Sequence, residues 1–337
     1  MAQFLGVMLD PFADNRGGSP NGPPLPFGPA ADLPPEIADA YAALMPTKAP
    51  PANTRNPWTV WGAATGGYSK VNGNAVLGSN DTTSRAYGFA AGADYRTGPN
   101  TVLGFAISGG GANWSLANAL GTGSSDALHV GVYSSHRFAG SAYVSGALGF
   151  AHHWVTTDRD VTLPAAAHYR ASLGANVLGG RIETGYRLAM RSVGVTPYAA
   201  LQAVSVFAPA YGETATSGSG AFALSYASRT ATTTRSELGA WFDLTRLIGA
   251  GQVMTLRARA AWAHNWNSDP SVSASFLALS GTNFTVNGAA PPRDAALLSA
   301  AAEIKLRHNL ALLGKFDSEL GAHSRSYTGT AAIRYAW

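Results

Sequence analysis

Period-two alternation, repeated along most of the chain, is the feature that most limits what this sequence can fold into. From Arg181 to Arg191, the residues Arg181, Glu183, Gly185, Arg187, Ala189 and Arg191 share one side of an extended backbone, while Ile182, Thr184, Tyr186, Leu188 and Met190 share the other. Tyr87, Phe89, Ala91, Ala93 and Tyr95 oppose Gly88, Gly92, Asp94 and Arg96 in the same way. Leu238, Ala240, Phe242 and Leu244 oppose Arg235, Glu237, Gly239 and Asp243; Leu256, Ala258, Ala260 and Trp262 oppose Arg257 and Arg259. Leu298, Ala300, Ala302, Ile304 and Leu306 oppose Ser299, Glu303, Lys305 and Arg307. A soluble sheet alternates too, with its charged face to water. The number of segments, their length and their connections therefore decide.

Twelve segments alternate, over 57–71, 82–97, 100–116, 123–138, 140–160, 170–191, 194–212, 229–246, 252–269, 293–307, 308–321 and 324–337. An even count lets a single chain close on itself with antiparallel neighbours throughout. Alanine and glycine dilute the apolar faces, as in strands whose membrane signal is weak per segment. Short connections at Gly98–Asn100, Phe138–Gly140, Ser192–Gly194, Ile248–Gly251, Arg307–His308 and Gly321–Ser324 alternate with longer polar ones. That rhythm predicts tight turns at one end of a barrel and long loops at the other. The longest connection, Ser271–Asp294, is long enough to carry structure of its own. The chain ends on Ile333, Tyr335 and Trp337, alternating with Ala332, Arg334 and Ala336, and aromatic rings suit a strand that stops at a membrane interface.

No run of about 18 apolar residues exists, so any membrane crossing is by strands whose backbone groups pair internally. The fold expected is all-β: an antiparallel transmembrane β-barrel of twelve strands. The absence of cysteine excludes disulfide and thiolate-metal chemistry. The basic balance comes from 19 arginines against four lysines, spread singly along the strands rather than clustered with aromatics. That spread argues against nucleic-acid binding and for a charge-paired lumen on the non-lipid face. The expected lumen wall comprises Arg181, Glu183, Arg187, Arg235, Glu237, Arg257, Arg259, Glu303 and Arg307.

The first 56 residues have another character. Residues 1–31 read as a Pro/Gly-rich linker, and 32–56 as a short helix with its lead-in to a barrel domain over 57–337. Pro34 and Pro35 suit a first helical turn, Glu36 and Asp39 its positive end, and Pro46 its stop. Such a helix, slim with alanines, fits the lumen of a twelve-stranded barrel, where Glu36, Asp39 and Tyr41 would meet the wall. A surface helix is the alternative. Met1–Asp10 lacks a basic leader region, a long apolar run and a small-residue cleavage site. Because a barrel needs export, a longer protein whose preceding portion is absent from this sequence is expected.

Over residues 30–337 the chain resembles the C-terminal translocator domain of a monomeric autotransporter, the type V secretion family. The resemblance rests on the helix, Trp58-Thr-Val-Trp61, Gly88–Tyr95, Arg181–Arg187 followed by Thr196–Ala200, Ser275-Phe276 with Gly281–Phe284, and Ile333–Trp337, taken in order. It implies a monomeric outer-membrane barrel that exports or displays an N-terminal passenger after signal-peptide-dependent export. It also implies contact with outer-membrane lipids, and reading of Ile333, Tyr335 and Trp337 by the barrel-assembly machinery. The Asn-Asn pair at which some members cut their passenger is missing. A passive pore or a loop-displaying adhesin is the competing reading, though neither needs a lumenal helix.

An enzyme finds little support. There is no Gly-x-Ser-x-Gly and no His-Glu-x-x-His, and adjacent His152 and His153 point to opposite faces of a strand. Gly109–Gly111 lacks the Lys-Ser/Thr that would follow in a phosphate loop. No cofactor and no metal is expected.

Overall fold

The computed structural model describes residues 1–10, 57–138, 141–162, 166–190, 193–248, 252–267, 270–279, 281–307 and 309–336. Among them, twelve long strands run in sequence: β1 Trp58–Val71, β2 Thr82–Gly98, β3 Thr101–Leu116, β4 Gly121–Arg137, β5 Ala142–Val161, β6 Ala167–Tyr186, β7 Val193–Ala208, β8 Arg229–Ile248, β9 Gln252–Asn265, β10 Asp294–Arg307, β11 Leu310–Gly321 and β12 Ser324–Ala336. Each pairs antiparallel with its sequence neighbours, and β1 pairs with β12 from Thr59↔Ala336 to Val71↔Ser324. The sheet is therefore closed, and it has no long edge in the membrane. After Arg187 interrupts β6, Leu188–Met190 continues its pairing to β7.

Alternation sets the two surfaces. On β4, Leu128, Val130 and Val132 are exposed while Tyr133 and Ser135 are buried. On β2, Tyr87 and Phe89 are exposed while Asp94 is buried. A belt of exposed Leu, Ile, Val, Phe, Tyr and Trp thus faces outward all round, and the small and charged residues face the lumen. No described helix is long and apolar enough to cross a membrane, so the crossing is by strands.

The long connections gather at one end, and there they build a second sheet. Strands Phe284–Asn287, Ser271–Phe276, Leu224–Tyr226 and Tyr211–Gly212 pair in that order. The structure expected in the longest connection is thus a hairpin, and it is bound to the β7–β8 loop. Glu213 anchors this cap by accepting two hydrogen bonds from Arg159, at 2.8 and 2.5 Å, one from the Leu224 amide and one from the Tyr226 hydroxyl. One connection departs from the expected rhythm. Gly321–Ser324 is short, yet strand parity puts it at the long-loop end, where the Asn72 amide donates to the His323 carbonyl. Turn length alone does not assign a side; the number of preceding crossings does.

A helix that the sequence pattern does not reveal, α1 (Ala2–Met8), lies inside the barrel. Met1, Phe4, Leu5 and Met8 recur at i, i+3, i+4 and i+7, which places them on one face. Phe4, Leu5 and Met8 are buried. Seven residues do not make a stable helix in water; the barrel interior holds it. The helix predicted over 34–45, with Glu36, Asp39 and Tyr41, lies outside the described residues.

Candidate functional site: the occupied lumen

The wall that receives α1 is made of glycine. Gly131, Gly149 and Gly179 stand opposite one another on β4, β5 and β6. A Cβ at Gly131 would come within 2.8 Å of the Met8 side chain, and one at Gly179 within 2.5 Å of Met1 and 3.1 Å of Leu5. Glycine at these positions lets a helix lie directly against the sheet. Phe4 packs on His129 at 5.3 Å, and Trp61, Ala63, Ala106, Tyr133 and Ala147 complete the apolar cluster. Beside it, Trp61 donates to the Tyr133 hydroxyl at 2.7 Å, and Tyr133 donates to buried Asp94. Tyr133 sits where Gly104 leaves room for its ring.

The opposite wall is charged. Arg181 donates two hydrogen bonds to Glu237, both at 2.9 Å, and one to Glu183 at 3.0 Å; all three side chains are under 9% exposed. Tyr143 donates to Glu183, and Tyr198 to Glu237. Arg235 forms a bidentate pair with Glu319 at 3.1 and 3.0 Å. Arg259 donates to Ser299 and Asp317 and lies 5.1 Å over the Trp241 ring. Arg187 pairs with Asp243, whose register partner on β9 is Arg257. Buried Glu303 pairs with Arg334 at 3.6 Å. The side chain of Arg307 lies outside the described residues, as does Trp337; Ile333 and Tyr335 point outward, 48% and 41% exposed.

Two residues join the helix to this charged wall. Asp10, two residues past α1, accepts a hydrogen bond from Lys315 of β11 at 2.8 Å, and both side chains are nearly buried. Lys315 is also 3.2 Å from Asp317. Between α1 and the wall is a cavity of about 230 Å³, lined by Gln3 and Gly6 on one side and Arg181, Glu237, Arg259 and Lys315 on the other.

Lys315, Asp317, Glu319, Asp243 and Arg334 are wall residues that belong with the expected set. Their signal was present, since Lys315, Asp317 and Glu319 alternate with Leu312, Gly314 and Phe316. Asp10 carried no such signal. The expectation that arginines keep to the non-lipid face fails at four places: Arg85, Arg170, Arg246 and Arg325 fall on the outward sets of β2, β6, β8 and β12 and are exposed. His153 faces the lumen and His152 the outer surface, in the middle of β5, where they meet Ser125 and Asn176 respectively. Among the described residues, no group of three or more His, Asp or Glu side chains is arranged to hold a metal ion.

The closed twelve-stranded barrel, with α1 inside its lumen, is an outer-membrane translocator domain by the family it matches. The autotransporter beta-domain family matches residues 60–317, and the chain belongs to that family. Its fold is similar to the translocator domain of the autotransporter NalP from Neisseria meningitidis, with a TM-score of 0.65 at 15% identity, covering 85% of this chain and 90% of that one. The beta domain of the Bordetella autotransporter BrkA superposes with a TM-score of 0.62, at 15% identity over 84% of this chain and all of that one. In sequence, the chain is 24% identical over 278 residues to an extracellular serine protease of Serratia marcescens. The match takes in 82% of this chain and 26% of that protein, so the chain spans about a quarter of that relative's length.

Proposed function

We propose that this barrel carries an N-terminal passenger to the cell surface through its lumen, and that α1 with Asp10 is the stretch of chain held there afterwards. The observation that carries the reading is the seating of Met1–Asp10 between the glycine wall and Lys315. A segment of the same chain already lies in the lumen, with Met1, Leu5 and Met8 on the glycine wall and with Gln3, Gly6 and Asp10 toward the charged one. In this reading Arg181, Glu183, Arg187, Arg235, Glu237, Arg257, Arg259, Glu303 and Arg307 keep the lumen polar and shaped, since paired buried charges resist collapse of an otherwise water-accessible interior. Ile333, Tyr335 and Trp337 would be read by the barrel-assembly machinery during insertion among outer-membrane lipids, as a monomer.

The barrel itself has no catalytic part in this proposal. Ser125 and His153 lie within hydrogen-bond reach of each other at 3.1 Å, but the other ring nitrogen of His153 has no hydrogen-bond partner among the described residues. A base with nothing to orient it does not complete a triad. The protease named among the relatives lends its activity to this chain only as a question about what precedes the barrel.

The test is surface display. A secretion signal and a small reporter are placed ahead of Met1, and intact cells are treated with external protease. A reporter that is exposed and cleaved supports translocation. A heat-modifiable barrel in the membrane with the reporter retained on the inner side overturns it.

A further inference from the structure

The outward face carries a pattern that the lumen does not explain. On β1, Trp58 and Tyr68 both point outward, ten residues apart; on β2, Tyr95 and Tyr87 are eight apart; on β12, Tyr335 and Tyr327 are eight apart. Such spacings match the roughly 9–11 residues with which a tilted strand crosses a bilayer, so these rings mark the two interfaces. Trp58 and Tyr95 pack at 4.9 Å at the short-turn end, and Tyr327 stacks on Phe316 at the long-loop end.

Two residues beyond the long-loop ring, on each of these three neighbouring strands, stands a cation: Arg325 before Tyr327, Lys70 after Tyr68 and Arg85 before Tyr87. Register brings them together. Lys70 is directly opposite Arg325, and Tyr68 is directly opposite Arg85. Lys70 has its own carboxylate, Asp81 at 3.2 Å. Arg85 and Arg325 have none among the described residues, and both are exposed. Arg170, an outward cation of this rim, is matched: it lies 2.7 Å from Asp158.

We propose that Arg85 and Arg325, with Lys70 between them, form a docking site for the phosphate groups of an outer-leaflet glycolipid. The chemistry is direct. Both guanidinium groups project away from the lumen at the level where hydrocarbon gives way to headgroups. A guanidinium presents paired donors that match two phosphate oxygens, and partial desolvation at the interface strengthens that attraction. Below the cations, Tyr68, Tyr87 and Tyr327 offer rings for the sugar and upper acyl chains. The site is at the long-loop end, which in barrels of this kind faces the exterior. It therefore meets the outer leaflet rather than the inner one.

The barrel, folded in zwitterionic detergent, is mixed with bisphosphorylated lipid A, with the same lipid after removal of its phosphates, or with inorganic phosphate. Retained lipid is counted by native mass spectrometry. The expectation is selective retention of the phosphorylated lipid, at least tenfold weaker in R85Q/R325Q. R85K/R325K, which keeps the charges but loses the paired donors, should fall between wild type and R85Q/R325Q, and heat-modifiable migration on gels checks that both variants remain folded. Equal retention by wild type and R85Q/R325Q, or equal retention of the dephosphorylated lipid, overturns the proposal. Displacement of the lipid by millimolar inorganic phosphate alone would mark a free-anion site and overturn it as well.

Discussion

The two halves of the lumen wall hold the same segment by opposite means. On β4–β6 the contact is made by absence: three glycines in register remove side chains so that Met1, Leu5 and Met8 can approach the backbone. On β6–β11 the contact is made by charge: Arg181, Glu237, Arg259 and Asp317 form a paired network, and Lys315 reaches Asp10 across it. The glycine wall selects for shape and is indifferent to charge. The charged wall tolerates water, as the cavity of about 230 Å³ between it and α1 allows. A lumen that must let a chain pass and then keep one piece of it needs both, a surface that slides and a surface that stops.

The largest effect should come from filling the glycine wall. A G149V/G179V variant puts side chains where Met1, Phe4 and Leu5 now lie, so α1 should leave the lumen while the outer face of the barrel is untouched. Planar-bilayer recordings should then show an open channel; a conductance as low as wild type would mean that the helix is held by the charged wall alone. Arg181→Met comes next. It takes from buried Glu183 and Glu237 the cation they share and leaves Glu237 the longer contacts to Arg235 and Arg259, a loss of about 3 kcal/mol, read as a lower denaturant midpoint for the barrel. If the midpoint stays put, the network is not a unit of stability.

Leu5→Ala tests the apolar side from the helix. Leu5 is fully buried, and truncation should weaken docking by about 2–5 kcal/mol, visible as faster amide exchange at Leu5 and Leu9, whose amides close the helix. Asp10→Asn keeps the shape and removes the charge facing Lys315. A cost of about 1–3 kcal/mol is expected, and a double-mutant cycle with Lys315→Met should show the two residues coupled rather than additive.

The smallest effect lies outside both walls. The Gly73 amide, and then Lys70, hold the Asp81 carboxyl below its ordinary value of 3.8. A depressed carboxylate contributes order above its unfolded pKa and loses it as pH falls through the folded one. The 72–81 loop should therefore loosen only in acid below that ordinary value, as amide exchange at Gly73 would report, with no change in the lumen signals.

Much of this was legible beforehand, and for a physical reason. A strand shows its two faces in sequence because its side chains alternate with a period of two, so the positions of β1–β12 and the inward turn of Glu237 or Arg259 follow from residues a few places apart. The lumenal segment was not legible in the same way. Met1, Phe4, Leu5 and Met8 span two turns, too short a stretch to stand out, and nothing local says that Gly131, Gly149 and Gly179 are level with one another. Arg85 and Arg325 likewise look like two more alternating arginines until the face of each strand is counted from its neighbours.

By itself, then, the sequence determined a twelve-stranded, closed, membrane-spanning barrel, because alternation and strand number are local properties. The tertiary structure decided the rest: which glycines form one wall, that Asp10 and Lys315, 305 residues apart, become partners, that two loops share a sheet, and that three cations meet above one ring of tyrosines. Each of these depends on register, and register is fixed only when the barrel closes and every strand is measured against the next.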